Sequence, residues 1–134
     1  ADELLPQYEY FRIHGDCHRG NLLLADEKFF LVDVDDFCHG PAVQDFWMLL
    51  PGDLQESSAE MEALVRGYEE FREFDDSQWD LVPMLRGMRI MGYASWIIHR
   101  WSDPSFPRLF PEFGSYNYWA EETEQLEKIA RSLI

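Results

Sequence analysis

A mainly α-helical fold with one small β-hairpin is what this chain of 134 residues predicts. Three observations predict it. Met61, Leu64, Val65, Tyr68 and Phe71 recur at helical spacing, and a later stretch is rich in large apolar residues over more than five turns. Two short apolar runs, residues 22–24 and 29–32, flank the turn-forming Ala25-Asp26-Glu27-Lys28. The composition, 46% hydrophobic and 16% aromatic, is too apolar for disorder, and the length is ample for one core, so a single domain is expected.

In chain order, residues 11–21 read as an extended entry and a loop, because Gly15 and Gly20 interrupt any period. The hairpin follows. Residues 33–41, acidic and closed by Gly40-Pro41, read as a loop. Residues 42–50 read as a short buried helix stopped at Pro51-Gly52. Ser57 or Ser58 caps the next helix. Ser77 caps a third that runs to about Trp101; with Trp79, Leu85, Met88, Ile90, Met91, Tyr93, Trp96 and Ile97 it is apolar on several faces and is expected to be central and buried. Residues 103–114 hold three of the seven prolines and read as a surface loop, and residues 116–133 close as a last helix.

Charge and composition narrow the partners. With 26 acidic against 11 basic residues the formal net charge is -15, which disfavours nucleic acid and anionic membrane as partners. No stretch reads as a signal peptide or membrane span; the chain opens Ala1-Asp2-Glu3 without a basic region, and a cytoplasmic location is expected. Two cysteines make no disulfide framework, and reduced thiols are expected at Cys17 and Cys38.

Two segments carry chemistry. His14-Gly15-Asp16-Cys17-His18-Arg19-Gly20-Asn21 fits H-x-D-x-x-x-x-N, and Asp33-Val34-Asp35-Asp36 follows an apolar strand twelve residues later. An Asp and an Asn five residues apart on one loop, with a further carboxylate at a strand end, suit phosphoryl transfer, which needs positioning and charge neutralisation more than covalent help. Magnesium takes oxygen ligands, one or two carboxylates among them, with substrate phosphates completing its shell. His14, Asp16 and His18 also form H-x-D-x-H, a zinc-chelating possibility, but His39 and His99 are the only other histidines and neither lies in a ligand-like setting.

The chain resembles the aminoglycoside phosphotransferase and choline kinase-like branch of the kinase fold, which writes H-G-D-x-H-x-G-N where protein kinases write H-R-D. Within that branch it is most similar to a bacterial Ser/Thr protein kinase, through Gly40-Pro41-Ala42-Val43-Gln44-Asp45-Phe46-Trp47-Met48-Leu49-Leu50, Tyr68-Glu69-Glu70-Phe71, Leu85-Arg86-Gly87-Met88-Arg89 and Arg100-Trp101-Ser102-Asp103-Pro104-Ser105-Phe106-Pro107. It departs in a hairpin about one residue longer and in Cys38. The resemblance implies Asp16 as catalytic base, and Asn21 and Asp33 as ligands of magnesium at the phosphates of ATP. It implies that His14 braces the loop, that Asp45 accepts hydrogen bonds from the loop backbone, and that His18 packs the loop. Asp35 and Asp36 are either solvated or reach a second ion.

The same resemblance makes residues 1–134 the C-terminal lobe of a larger kinase. There is no G-x-G-x-x-G, and the only lysines are Lys28 and Lys128, so the ATP-covering N-terminal lobe is expected to lie outside this sequence. The implied function is transfer of the ATP γ-phosphoryl group to a protein Ser/Thr hydroxyl in a bacterial stress response, with the fragment alone inactive and prone to self-association through its uncovered lobe surface. Alternatives are a small-molecule kinase acting on an aminoglycoside, choline or homoserine-like acceptor, and a non-catalytic kinase-shaped scaffold.

Overall fold

The computed structural model describes residues 8–134, so the opening Ala1-Asp2-Glu3 lies outside the described residues. The chain divides into two compact units, residues 1–82 and 83–134.

The first unit holds both sheets. β1 (Phe11–Ile13) pairs antiparallel with β4 (Cys38–Gly40), Phe11 opposite Gly40 and Ile13 opposite Cys38. This corrects the loop expected over residues 33–41, of which residues 34–36 also form a 3₁₀ turn. Three-residue strands are too short for an alternating pattern to declare itself, and the pairing is set by contacts 25 to 29 residues apart, from Ile13–Cys38 to Phe11–Gly40. β2 (Leu22–Ala25) and β3 (Lys28–Leu31) form the expected hairpin, Leu22 opposite Leu31. Its turn is the pair Asp26-Glu27, tighter than the four residues expected. Both have positive φ, 50° and 60°, the mirror-image turn whose twist matches that of the strands.

α1 (Val43–Trp47) is shorter than residues 42–50, and turns carry the chain on to Leu50. Its leading N–H, on Val43, donates to the buried Gln78 Oε1 at 3.2 Å, a side-chain cap from 35 residues away. α2 (Ser58–Tyr68) starts after a fully buried Ser57 that gives no side-chain cap, so the hydroxyl does not play the capping part expected of it. Phe46, Tyr68, Phe74 and Trp79 form the aromatic core of this unit, with Phe46 and Phe74 stacked at 5.1 Å.

The third helix begins differently from expectation. Asp75, not Ser77, is the cap: its Oδ1 accepts Ser77 N at 3.0 Å and Ser77 Oγ at 2.6 Å. The carboxylate outcompetes the hydroxyl as acceptor, and Ser77 becomes the donor. A 3₁₀ stretch (Asp76–Leu81) then leads into α3 (Val82–Arg100).

In the second unit, Ala94 and Ile97 of α3 pack with Phe113, and Trp101, Phe106, Phe110 and Tyr118 surround them. Contrary to expectation, α3 is not buried on several sides. Met88, Met91, Tyr93, Trp96 and Ile98 remain 42–56% exposed, because only the stripe through Ala94 and Ile97 is closed over. Residues 103–114 are not a loop either. α4 (Phe106–Leu109) and a 3₁₀ turn (Pro111–Gly114) occupy them. Pro107 and Pro111 sit in first turns, where a missing N–H costs nothing, and Phe113 anchors the segment in the core. α5 (Tyr116–Ser132) follows, capped by Ser115 Oγ accepting Tyr118 N at 3.2 Å. Among the described residues no helix is long and apolar enough to cross a membrane.

Candidate active site

The loop from His14 to Asn21 is held by α1. Asp45 Oδ2 accepts His14 N at 2.8 Å, and Asp45 Oδ1 accepts Gly15 N at 2.9 Å. Gln44 Nε2 donates to Gly15 O at 3.1 Å from the same helix. A carboxylate accepting two backbone N–H groups makes charge-assisted bonds, about twice as strong as neutral ones. His14, buried, adds a second tie. Its ring bonds Val32 O at 2.9 Å; since a carbonyl only accepts, Nε2 carries the proton. Nδ1 is then a buried acceptor with no partner among the described residues, beside the edge-on ring of Phe37.

The β1–β4 pairing lays this loop against the Asp33–Cys38 stretch. Gly15 has φ 85°, and a Cβ there would collide with the Asp36 carbonyl oxygen, so only glycine fits. The close approach of the two loops is built into the backbone.

Asp16 follows directly. Its carbonyl accepts His18 N and Asn21 Nδ2, each at 2.9 Å. Its side chain is 21% exposed, with Oδ2 3.5 Å from His18 Nε2. Because Asn21 donates through Nδ2, its amide orientation is fixed and Oδ1 is left as the acceptor end, the atom a hard cation takes. Asn21 is buried, and its backbone carbonyl accepts Val32 N at 3.0 Å, tying it to the residue before Asp33.

Asp33 stands in the left-handed region, φ 61° and ψ 65°. A non-glycine residue there is strained by about 1–3 kcal/mol, though aspartate tolerates it better than most. Its carboxylate is exposed and makes no hydrogen bond or ion pair with the other described residues. Asp35 and Asp36 lie on the exposed 3₁₀ turn that follows. Among the described residues no three His, Cys, Asp or Glu side chains come together as a metal cluster. A carboxylate from Asp33 and an amide oxygen from Asn21 would suit an ion that takes most of its ligands from phosphate and water. The imidazoles of the H-x-D-x-H segment are both committed, His14 to Val32 O and His18 Nδ1 to Gly20 N at 3.0 Å, which argues against a zinc site built on them.

Sequence reasoning missed Gln44 and Val32, whose roles pass through backbone carbonyls and leave no residue-type signal. Arg19 Nε donates to Leu49 O at 2.9 Å, beyond the end of α1. Cys17 and Cys38 are both free thiols. Burial, then the nearby Asp45 and Asp16 carboxylates, push the Cys17 thiol up to about 11. Cys38 is also raised, by desolvation and then by Asp45 and Asp36. Neither is poised as a reactive thiolate.

The model of the phosphotransferase enzyme family matches residues 1–82. The chain is 44% identical over 126 residues to "Stress response kinase A" of Escherichia coli K12, covering 94% of this chain and 38% of that protein. It is 47% identical over 112 residues to "Stress response kinase A" of Salmonella choleraesuis SC-B67 and to "Serine/threonine protein kinase RdoA" of Salmonella typhimurium LT2, in each case covering 84% of this chain and 34% of the relative. The chain thus spans little more than a third of the length of these relatives.

Proposed function

Given that the chain belongs to the phosphotransferase enzyme family, we propose that it supplies the catalytic and metal-binding loops of a kinase that transfers the γ-phosphoryl group of ATP to a hydroxyl. The observation that carries this is the locking of Asn21 by Asp16 O and Val32 N between an oriented Asp16 and an unpartnered Asp33. Asp16 is the base, taking the proton of the attacking hydroxyl. Asn21 Oδ1 and the Asp33 carboxylate hold magnesium at the phosphates. Bound magnesium and ATP supply the charge neutralisation and the transferable group. Asp45 and His14 act at one remove, by fixing where Asp16 points.

The acceptor we propose is a protein Ser/Thr hydroxyl in a stress response, supported by the names of the relatives, one of which is called a serine/threonine protein kinase. The rest of the enzyme would cover the nucleotide from the side of the β2–β3 hairpin. In support, Leu24 is 66% and Phe29 73% exposed, more apolar surface than a two-stranded hairpin sustains by itself. On this reading the chain alone is inactive and the whole protein works in the cytoplasm, where ATP is.

The test is label transfer from γ-labelled ATP by the full-length protein to a panel of protein and small hydroxyl acceptors. Asp16→Asn should reduce transfer by about 10²–10⁴-fold, the worth of general base catalysis, with folding intact. Asp33→Asn should in addition weaken magnesium-dependent nucleotide binding. Near-normal turnover in either variant would remove that residue from the mechanism, and transfer to small acceptors alone would replace the protein acceptor.

A further inference from the structure

His18 faces two ways, and both of its ring nitrogens meet the machinery. Nδ1 accepts Gly20 N at 3.0 Å, capping the 3₁₀ turn (Arg19–Asn21) that delivers Asn21. Nε2 lies 3.5 Å from Asp16 Oδ2. The two contacts are linked through the tautomer: an acceptor at Nδ1 leaves the neutral ring's proton on Nε2, so the N–H end faces the Asp16 carboxylate. The turn is shaped for the ring, since a Cβ on Gly20 would stand 2.8 Å from His18 Cε1 and 2.9 Å from Nδ1. The H-x-D-x-H spacing therefore places an oriented donor against the proposed base.

We propose that His18 is a positioning residue for Asp16, its Nε2–H holding the carboxylate in the rotamer that meets the acceptor hydroxyl while Nδ1 keeps Asn21 in register. This rests on the reading of Asp16 as base. At 3.5 Å the contact is longer than a good hydrogen bond, and such contacts tighten when substrate closes a site. The capping bond does not wait for substrate.

Two substitutions separate the two contacts. Asparagine places an oxygen where Nδ1 sits and keeps the turn; glutamine places an amide N–H where Nε2 sits and keeps the donor. Initial rates of the full-length protein with magnesium-ATP and myelin basic protein should show His18→Asn losing about tenfold in kcat with KM for ATP little changed, the scale of one lost charge-assisted hydrogen bond. His18→Gln should keep kcat within about threefold of wild type but raise KM for ATP, since it gives up the Nδ1 cap of the turn that delivers Asn21. Equal losses in both, or full kcat in His18→Asn, would overturn the proposal. Asp16→Asn, run alongside, separates the two failures: if it keeps transfer, the base assignment falls whatever His18 does.

A readout independent of turnover is ¹⁵N spectroscopy of labelled histidine, at a pH where imidazole is neutral. The signal identified by its disappearance in His18→Gln should show Nε2 protonated and Nδ1 bare, and Asp16→Asn should shift Nε2. A ring protonated on Nδ1, or an Nε2 signal unmoved by Asp16→Asn, would contradict the assignment directly.

Discussion

The two halves of the candidate site are built differently. From His14 to His18, and again at Asn21, the loop is buried or half-buried, and it is tied to Asp45, Gln44 and Val32. From Leu23 to Phe37 all but the half-buried Val32 is exposed, apolar at Leu23, Leu24, Phe29, Phe30 and Leu31 and acidic from Asp33 on, and Asp33 stands exposed on a strained backbone. The side that carries the proposed base is braced within this chain. The proposed nucleotide side offers surface and an unpartnered Asp33 carboxylate, as a half-site completed by ligand and by further protein would. Preorganisation is where catalysis by positioning resides, so the braced half is where substitutions should cost stability and rate together.

The largest stability effect should come from Asp45→Ala. It strands two backbone N–H groups that now share a carboxylate, a loss on the order of 3 kcal/mol. Asp45→Asn keeps one acceptor and should lose about half as much, roughly 1.5 kcal/mol. Denaturant unfolding measures both, and a near-neutral Asp45→Ala would break the contrast between the halves.

Gly15→Ala comes next. The new Cβ meets the Asp36 carbonyl, and the positive φ adds strain, so about 1–3 kcal/mol should be lost, again by denaturant unfolding. Alkaline pH probes the same side. The Cys17 thiol ordinarily ionises at 9.0 and is held up to about 11 in the fold. The folded state binds that proton more tightly than the unfolded state, so the contribution is present below 9.0 and is lost as pH rises toward 11. Cys17→Ala should flatten the alkaline fall of the unfolding midpoint; an unchanged fall would show that Cys17 is not its source.

The smallest effect is expected on the other half. Phe29→Ser should change the stability of this chain by less than about 0.5 kcal/mol, since the ring is 73% exposed and leaves no cavity. In the full-length protein the same change should weaken magnesium-ATP binding or lobe packing. A large loss in the isolated chain would mean that the hairpin is buried by self-association, which sedimentation would show.

Much of this contrast was legible in the residues. The His14–Asn21 loop was readable because Gly15 and Gly20 interrupt any period, and the hairpin because two apolar runs flank a turn. The β1–β4 pairing was not readable, since three-residue strands carry no period, and it is that pairing that brings Gly15 against Asp36. Gln78 as the cap of α1 and Val32 as the partner of His14 were invisible for a related reason: each contact joins a side chain to a backbone group many residues away. The exposure of α3 was misjudged because an all-round apolar helix signals burial without saying what closes over each face. Residues 103–114 were misjudged because Pro107 and Pro111 start helical turns as readily as they stop them.

The most direct measurement is calorimetric titration of magnesium-ATP into this chain and into the full-length protein, each with its Asp33→Asn variant. The chain alone should show no micromolar binding, and the full-length protein should show magnesium-dependent binding that Asp33→Asn weakens. Micromolar binding by the chain alone, or full-length binding indifferent to Asp33, would contradict a site whose base half is built here and whose nucleotide half is not.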